Sequence, residues 1–410
     1  MTSERENRRL RLAHVTTADL SLRFLLQDQL QSFREAGFEV IGISAPGPWV
    51  ADLEREGVRH FAVPALQRRW APLADLPALA HLVTVLRRTR PDIVHTHTPK
   101  ARILGRIAAR LAGVPIVVNT FHGMYGMEGP SIRRQFYLWL ERVGAMWSDF
   151  ELSQSREDLE TLHRARIAAP SRSAYLGNGV NLQLFDPGRI DARAVRDRLG
   201  IGPDQIVVGT VGRLVWEKGY REYFAAAEAL VQADPRIVML AVGPHEPVRP
   251  DGIPAHVVED LSRRGIVRFL GMRTDMPELY AIMNIFVLPS HREGFPRSAV
   301  EAAAMGRPLV LTDIRGCREV VEDGRNGLLF PVGDAARLLA SVRRLIDDPA
   351  LRTRLGQESR RRAAIEFDEQ RVIATTLDVY RRLLAEKFGA DSTRIRRAES
   401  DSAAMPARRI

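Results

Sequence analysis

A single cysteine, only three lysines and no long apolar run set the first limits on this 410-residue chain. One thiol, Cys317, cannot form an internal disulfide, which agrees with a reducing compartment rather than a secreted one. Beside Gly316 it reads as a small packing residue and not as a nucleophile. Nowhere do about eighteen apolar residues follow one another, so no segment reads as a membrane-spanning helix. The charged start, Met1 to Arg11, lacks the apolar centre of a signal peptide. A cytoplasmic location is expected. Lysine occurs only at Lys100, Lys218 and Lys387, so arginine supplies 57 of the 60 basic residues behind the net charge of +10. No zinc-ligand spacing and no recognisable nucleic-acid module accompany that charge, so nucleic acid is not expected as a partner. The electrostatic partner left is a surface of anionic lipid head groups, which requires no dedicated fold. Peripheral contact with the inner face of the cell membrane follows as an expectation.

The composition, 45% hydrophobic and 27% charged, is that of a globular protein, and the length suffices for two domains with separate cores. Short apolar runs at Leu10 to Thr16, Phe38 to Ser44, Asp92 to His95, Ile116 to Asn119 and Phe150 to Ser153 read as strands. Helical runs separate them, at Leu22 to Ala36, Leu76 to Arg88, Ala101 to Ala112 and Ile132 to Met146. Such alternation predicts a parallel sheet wrapped by helices. The pattern breaks between Tyr175 and Gly202, where Asn178-Gly179 and Asp186-Pro187-Gly188 signal turns. A second series opens at Ile206 to Val211 and continues near Ile237 to Val242, Val267 to Leu270, Ile285 to Leu288 and Leu309 to Thr312. The expected fold class is α/β, two doubly wound Rossmann-like domains over residues 1–185 and 186–366. Beyond Gly389 the chain is rich in Asp, Ser, Ala and Arg, and a disordered tail is expected over 389–410.

Two carboxylates, Glu293 and Glu301, bracket the run Gly294-Phe295-Pro296-Arg297-Ser298-Ala299-Val300 between a predicted strand and a predicted helix. The loop at a strand's carboxyl end and the start of the next helix is where an open α/β sheet binds anions. Two carboxylates flanking an anion site fit a ligand with hydroxyls on both sides of its phosphates, the shape of a nucleotide sugar. A plain surface loop followed by a first-turn glutamate explains the spacing equally well. The second domain's first strand leads into Gly212-Arg213-Leu214-Val215-Trp216-Glu217-Lys218-Gly219, delivering two cations five residues apart to the same sheet edge. Arginine can clamp a phosphate through two parallel N–H bonds, and lysine adds a compact charge. In the first domain His122 follows a strand, as do His95, His97 and Lys100. The pair His95 and His97 is spaced like metal ligands but lacks visible third and fourth partners. These histidines are expected to shape the floor of a cleft, with Lys100 available to an acceptor phosphate.

The run from Glu293 continues as Ala302-Ala303-Ala304-Met305-Gly306-Arg307-Pro308, a buried strand, Gly316-Cys317-Arg318-Glu319-Val320 and Asn326-Gly327-Leu328-Leu329-Phe330. In order and spacing it resembles the Glu-x7-Glu donor motif of the family 4 retaining glycosyltransferases of GT-B type. The resemblance extends over about Leu10 to Leu384. It implies two Rossmann-like domains facing a cleft, the first holding the acceptor and the second the nucleotide sugar, with a last helix at 367–388 crossing back to the first. It assigns donor binding to Arg213, Lys218, Gly294, Phe295 and Glu301. Glu293 would bind the transferred sugar and His122 would face the reaction centre, as the catalytic pair, with His97 and Lys100 on the acceptor side. No cofactor and no essential metal are implied: Asp275 and Asp347-Asp348 form no Asp-x-Asp site. The composite series looks most like members that build capsule, O-antigen and exopolysaccharide repeats. That implies a UDP-linked hexose or N-acetylhexosamine donor and a lipid-linked saccharide acceptor. A nucleotide-sugar isomerase of the UDP-N-acetylglucosamine 2-epimerase type, transfer to a soluble acceptor, and a non-catalytic nucleotide-sugar scaffold are the alternatives. Two departures stand out. The first strand runs into Thr16-Thr17-Ala18-Asp19 where many relatives have a glycine pair, and Pro296 stands where others have glycine.

Overall fold

The computed structural model describes residues 8–66, 72–124 and 131–389. It resolves into two compact units: the chain up to Leu176 together with its return from Val372, and Gly177–Arg371. Each is built on one sheet in which every pairing is parallel.

The first sheet contains β1 (Arg11–Ala18), β2 (Glu39–Ala45), β3 (Arg59–Ala62), β4 (Ile93–Thr96), β5 (Ile116–Phe121), β6 (Phe150–Ser153) and β7 (Ser173–Tyr175), in the order β3-β2-β1-β4-β5-β6-β7. The second contains β8 (Ile206–Val211), β9 (Ile237–Val242), β10 (Arg268–Phe269), β11 (Ile285–Leu288), β12 (Leu309–Thr312) and β13 (Gly327–Phe330), in the order β10-β9-β8-β11-β12-β13. Helices cover both faces, so central strands are apolar along their whole length: all six residues of β5 and all six of β9 are buried. Strand order reverses between β1 and β4 and between β8 and β11, and in such sheets the loops leaving those strands hold ligands.

Two features differ from the sequence reading. The predicted helix Leu22 to Ala36 is two helices, Asp19–Leu25 and Gln27–Glu35, broken at Leu26, whose backbone sits at φ −122° and ψ −6°. The break keeps Leu22, Leu26, Leu30 and Phe33 all in one core against the sheet. The change of unit falls at 176/177 and not at 185/186, because Val180 N–H donates to the Phe367 carbonyl at 2.9 Å and Phe185 joins the second unit's core. A Cβ on Gly179 would stand 2.4 Å from Glu369 Cα, so glycine is what permits this crossing of two backbones. The helix Glu369–Phe388 begins in that region, and its residues Val372, Tyr380 and Leu384 complete the first unit's core beside Leu12, Val118 and Leu152. Residues 390–410, where a disordered tail was expected, lie outside the described residues. Among the described residues no helix is long and apolar enough to cross a membrane.

Candidate active site

Leaving β8, the chain passes Gly212 and Arg213 and closes a 3-10 turn, Trp216–Lys218, at Gly219 with φ 73°. A Cβ on Gly219 would lie 1.9 Å from the Pro289 carbonyl oxygen, so glycine lets this turn press against the end of β11. The contact is held from both sides. His291 N–H donates to the Glu217 carbonyl at 2.9 Å, His291 Nε2 meets Glu222 Oε1 at 2.9 Å, and Arg292 pairs with Glu217 at 2.5 Å. It places Lys218 Nζ 2.5 Å from Glu293 Oε1, joining two of the predicted residues in one ion pair that is mostly shielded from water. Arg213, seven residues upstream of the helix Tyr220–Ala233, has no ion-pair or hydrogen-bond partner for its guanidinium among the described residues. The loop after β8 thus carries one arginine without a counter-ion and one lysine paired with a single carboxylate.

Glu301 lies in the helix Arg297–Ala304, whose N-cap is Pro296. One carboxylate oxygen accepts from Tyr280 Oη at 2.8 Å and the other from Arg297 Nε at 3.0 Å. Burial, reinforced by the Glu301 charge, pushes the Tyr280 hydroxyl well above its ordinary pKa, so it stays a donor. The partners Tyr280 and Arg297 were not anticipated; Arg297 follows from helical i to i+4 spacing, whereas Tyr280 comes from another helix. Phe295 departs from expectation. Its ring is 7% exposed and packs edge-on against Phe367 at 5.8 Å between centroids, so it anchors the loop in the core and leaves only backbone to face a donor.

Gly294 and Glu293 are pressed onto the helix Arg315–Val320: a Cβ on Gly316 would stand 2.6 Å from the Gly294 oxygen and 2.7 Å from the Glu293 oxygen. Alanine normally stabilises a helix by up to about 1 kcal/mol over glycine. At 316 the sign should reverse. Gly316→Ala is expected to cost about 1–3 kcal/mol by overpacking against backbone that cannot swing away, and to displace Glu293. Urea denaturation checks this, and a stabilised variant would contradict the close approach. The neighbouring Cys317 thiol is buried and its pKa pushed well up by burial and by Glu293, which rules it out as a thiolate nucleophile.

In the first unit the histidines form a buried row. Gln154 Oε1 accepts from His122 Nδ1 at 3.1 Å, His97 Nδ1 meets His122 Nε2 at 2.9 Å, and His14 Nδ1 meets His97 Nε2 at 3.0 Å. Since the amide oxygen can only accept, each neutral ring in turn donates through Nδ1 and accepts through Nε2. The row ends at His14 Nε2, a buried nitrogen with no partner among the described residues. His95 stands alongside, joined to Tyr380 Oη at 2.5 Å and Thr120 Oγ1 at 2.7 Å. Burial lowers His14 to about 3, and burial with the nearby Arg102 lowers His122 to about 4. His95 and His97 lie well below the ordinary value for the same first reason.

These positions correct three expectations. Lys100 is buried in an ion pair with Asp75, because its helix, Pro99–Leu111, packs on Pro72–Thr89; it is not a cation available to an acceptor phosphate. His97 is 1% exposed, with both nitrogens bonded to other histidines. The pair His95 and His97 does gain a third imidazole: nitrogens of His14, His95 and His97 lie within 4.8 Å of one another. Those nitrogens are turned on one another and on Tyr380 and Thr120, an arrangement that neutral hydrogen-bonded rings explain. His122 sits at the end of β5 as expected, but both its nitrogens are engaged, so it can meet a ligand only by exchanging a partner.

Comparison with known proteins agrees with this geometry. Residues 25–179 match the family described as glycosyl transferase 4-like domain, and residues 191–362 match glycosyl transferases group 1. The Escherichia coli UDP-Gal:alpha-D-GlcNAc-diphosphoundecaprenol alpha-1,3-galactosyltransferase is 32% identical over 84% of this chain and 89% of its own. The Staphylococcus aureus capsular polysaccharide biosynthesis glycosyltransferase CapM is 26% identical over 92% of this chain and 99% of its own. Anabaena HepE, solved in complex with UDP and glucose, superposes with a TM-score of 0.75 over 90% of this chain and 99% of its own at 23% identity, which speaks to the fold. Two parallel Rossmann-like sheets of this kind define the GT-B class of enzymes. The chain belongs to the family 4 glycosyltransferases of that class, and it is a glycosyltransferase.

Proposed function

We propose that the protein is a retaining glycosyltransferase that moves a hexose or N-acetylhexosamine from a UDP-sugar to a hydroxyl of a lipid-linked saccharide during surface polysaccharide synthesis. The observation that carries the donor assignment is the Lys218–Glu293 pair, joined across 75 residues after the ends of β8 and β11, with Arg213, unpartnered among the described residues, on the same loop as Lys218. Two cation types on one loop suit a diphosphate: arginine supplies the two-pronged grip and lysine a point charge. Both neutralise the nucleoside diphosphate as the glycosyl bond breaks, the electrostatic work on which the step depends. Glu301, fixed by Tyr280 and Arg297, accepts from the ribose hydroxyls, and Glu293 accepts from the sugar. In this reading the diphosphate leaves from the face that the acceptor attacks, and no enzyme nucleophile is required. His122, with its row of imidazoles, stands on the acceptor unit at the end of β5. The diphosphoundecaprenol acceptor named for the Escherichia coli relative and the capsular role named for CapM support a lipid-carried acceptor. No metal is required by this scheme, because the two cations take up the diphosphate charge.

Calorimetric titration with UDP tests the site. Glu301→Ala is expected to weaken UDP about tenfold, roughly 1.4 kcal/mol, and to leave inorganic pyrophosphate binding unchanged, because only the ribose contact is lost. Equal UDP affinity in variant and parent would remove the ribose assignment. Transfer itself is read by incubating UDP-sugars with a polyprenyl-diphosphate-linked monosaccharide and assigning the anomeric configuration of the product by NMR; inversion would exclude the retaining reading.

A further inference from the structure

The helix Ser131–Ala145 in the first unit buries a carboxylate among the apolar residues of its inward side and leaves other large apolar side chains outside. Glu141 on it is fully buried and bridges two arginines, Arg102 Nη2 at 2.5 Å and Arg106 Nη2 at 2.9 Å. Arg106 continues to Glu151 Oε1 at 2.8 Å, and Asn119 donates to the other Glu151 oxygen at 2.6 Å. Gly144 belongs to the same device, since a Cβ there would stand 2.3 Å from Arg106 Nη2. Sorting by the hydrophobic effect alone would put the helix's large apolar side chains inward. Instead Glu141 is locked inward by a chain of paired groups, Arg102–Glu141–Arg106–Glu151, and removing any one would strand its partners in the interior.

The consequence lies on the opposite side. Ile132 is 75% exposed, Phe136 59%, Trp139 54% and, just past the helix end, Met146 79%. At about 100° per residue these four positions fall within an arc of about 80° along about 21 Å of helix. The Phe136 and Trp139 rings stack on each other at 5.9 Å, so the stripe is continuous at its centre. Arg133 and Arg142 stand on either side of it, both exposed. A soluble surface rarely carries such a stripe without a partner.

We propose that this face docks on an anionic phospholipid bilayer, with the stripe entering the head-group boundary and the flanking arginines meeting lipid phosphates. An aromatic and aliphatic stripe bordered by arginines is the pattern of a helix lying in a membrane interface. Charge argues against a second copy of the chain, which would bring like-charged arginines face to face on a protein of net charge +10. The purpose of the contact rests on the lipid-linked acceptor proposed above, whereas the contact itself does not.

Flotation of the full chain with phosphatidylglycerol/phosphatidylcholine vesicles, without donor or acceptor, tests it. The wild type is expected to float with these vesicles and at least tenfold less with pure phosphatidylcholine. The double variant Phe136→Ser/Trp139→Ser is expected to lose at least tenfold in partitioning, and Arg133→Glu a smaller fraction that vanishes in high salt. All substituted side chains are exposed, so circular dichroism and UDP affinity should match the wild type. Undiminished flotation of the double variant overturns the proposal. So does a wild type that is dimeric and a variant that is monomeric with equal vesicle binding, which would make the stripe a subunit interface. A wild type that floats but transfers no sugar to a polyprenyl-linked acceptor leaves the docking standing and removes the acceptor reading instead.

Discussion

Arg213→Ala is expected to lower kcat/KM for glycosyl transfer by roughly 10²- to 10³-fold with the fold intact, the range measured when one preorganised donor to a developing anion is deleted. Three observations set the size. Arg213 is partly exposed and has no partner among the described residues, so its removal strands no buried carboxylate and should cost little stability. Its position is set by backbone contacts, Leu214 N–H to the Pro244 carbonyl at 3.0 Å and Val215 N–H to its own carbonyl at 2.8 Å, which alanine retains. The charge it supplies matters most when the diphosphate departs, so the loss should fall on kcat as well as on KM. Arg213→Lys restores charge without the two-pronged grip and should recover only part of the rate.

Lys218 behaves differently. Lys218→Ala leaves Glu293 unpaired where it is largely shielded and beside the proposed anion, so the penalty includes repulsion as well as a missing cation. Glu293→Ala added to Lys218→Ala should then cost less than the sum of the two single changes, a coupling of about 1–3 kcal/mol in a double-mutant cycle. Steady-state kinetics with the best donor decide both points. A loss of under threefold in Arg213→Ala, or strict additivity at 218 and 293, would mean that these side chains do not share one anion.

The contrast between Arg213 and Lys100 shows what a sequence can and cannot convey. Both are cations placed after a strand at a predicted sheet edge, and residue type and spacing treat them alike. Asp75 separates them: it lies on another helix and buries Lys100 in a pair that no local pattern announces. The strands were legible where burial on both faces writes continuous apolar runs, as in β5, β9 and β12. Three edge strands were not. β3 reads Arg-His-Phe-Ala and is half-exposed, and β7 is three half-buried residues, so neither carries an apolar signature; β13, Gly-Leu-Leu-Phe, is mostly buried but only four residues long and opens on a glycine. The joining of Lys218 to Glu293 across 75 residues was anticipated only as a shared sheet edge; the contact depends on Gly219 fitting against Pro289. The helix Ser131–Ala145 was read correctly as a helix, but the burial of its Glu141 follows from Arg102, Arg106 and Glu151, which sit on other elements.

The histidine row gives the second large effect, a loss of stability in mild acid confined to the first unit. His14, His95 and His97 are buried and His122 is partly so, and each has a folded pKa below the unfolded value of about 6.5. Below pH ~6.5 the unfolded chain therefore binds protons that the folded unit refuses, and stability must fall as pH falls. The contribution is complete above that value. It drains downward until the folded rings themselves titrate, at about 4 for His122 and about 3 for His14. A ring costs about 1.4 kcal/mol per pH unit in that window, so at pH 5.5 His14 and His122 together remove roughly 3 kcal/mol, with His95 and His97 acting in the same direction, a large share of the stability of many domains. Protonation has no easy outlet inside the row. A second proton on any ring turns an accepting nitrogen into a donor that faces its neighbour's N–H, and His14 Nε2 has no carboxylate beside it. Urea unfolding of the full chain at pH 8.0, 6.5 and 5.5, followed by hydrogen exchange in β1, β4 and β5, should show the first unit opening in acid while UDP binding by the second unit persists longer. The sign separates this origin from carboxylate protonation, whose effects begin nearer pH 5 and below. Stability that stays level between pH 8.0 and 5.5 would mean the four imidazoles are hydrated in solution, and the buried hydrogen-bonded row would have to be abandoned.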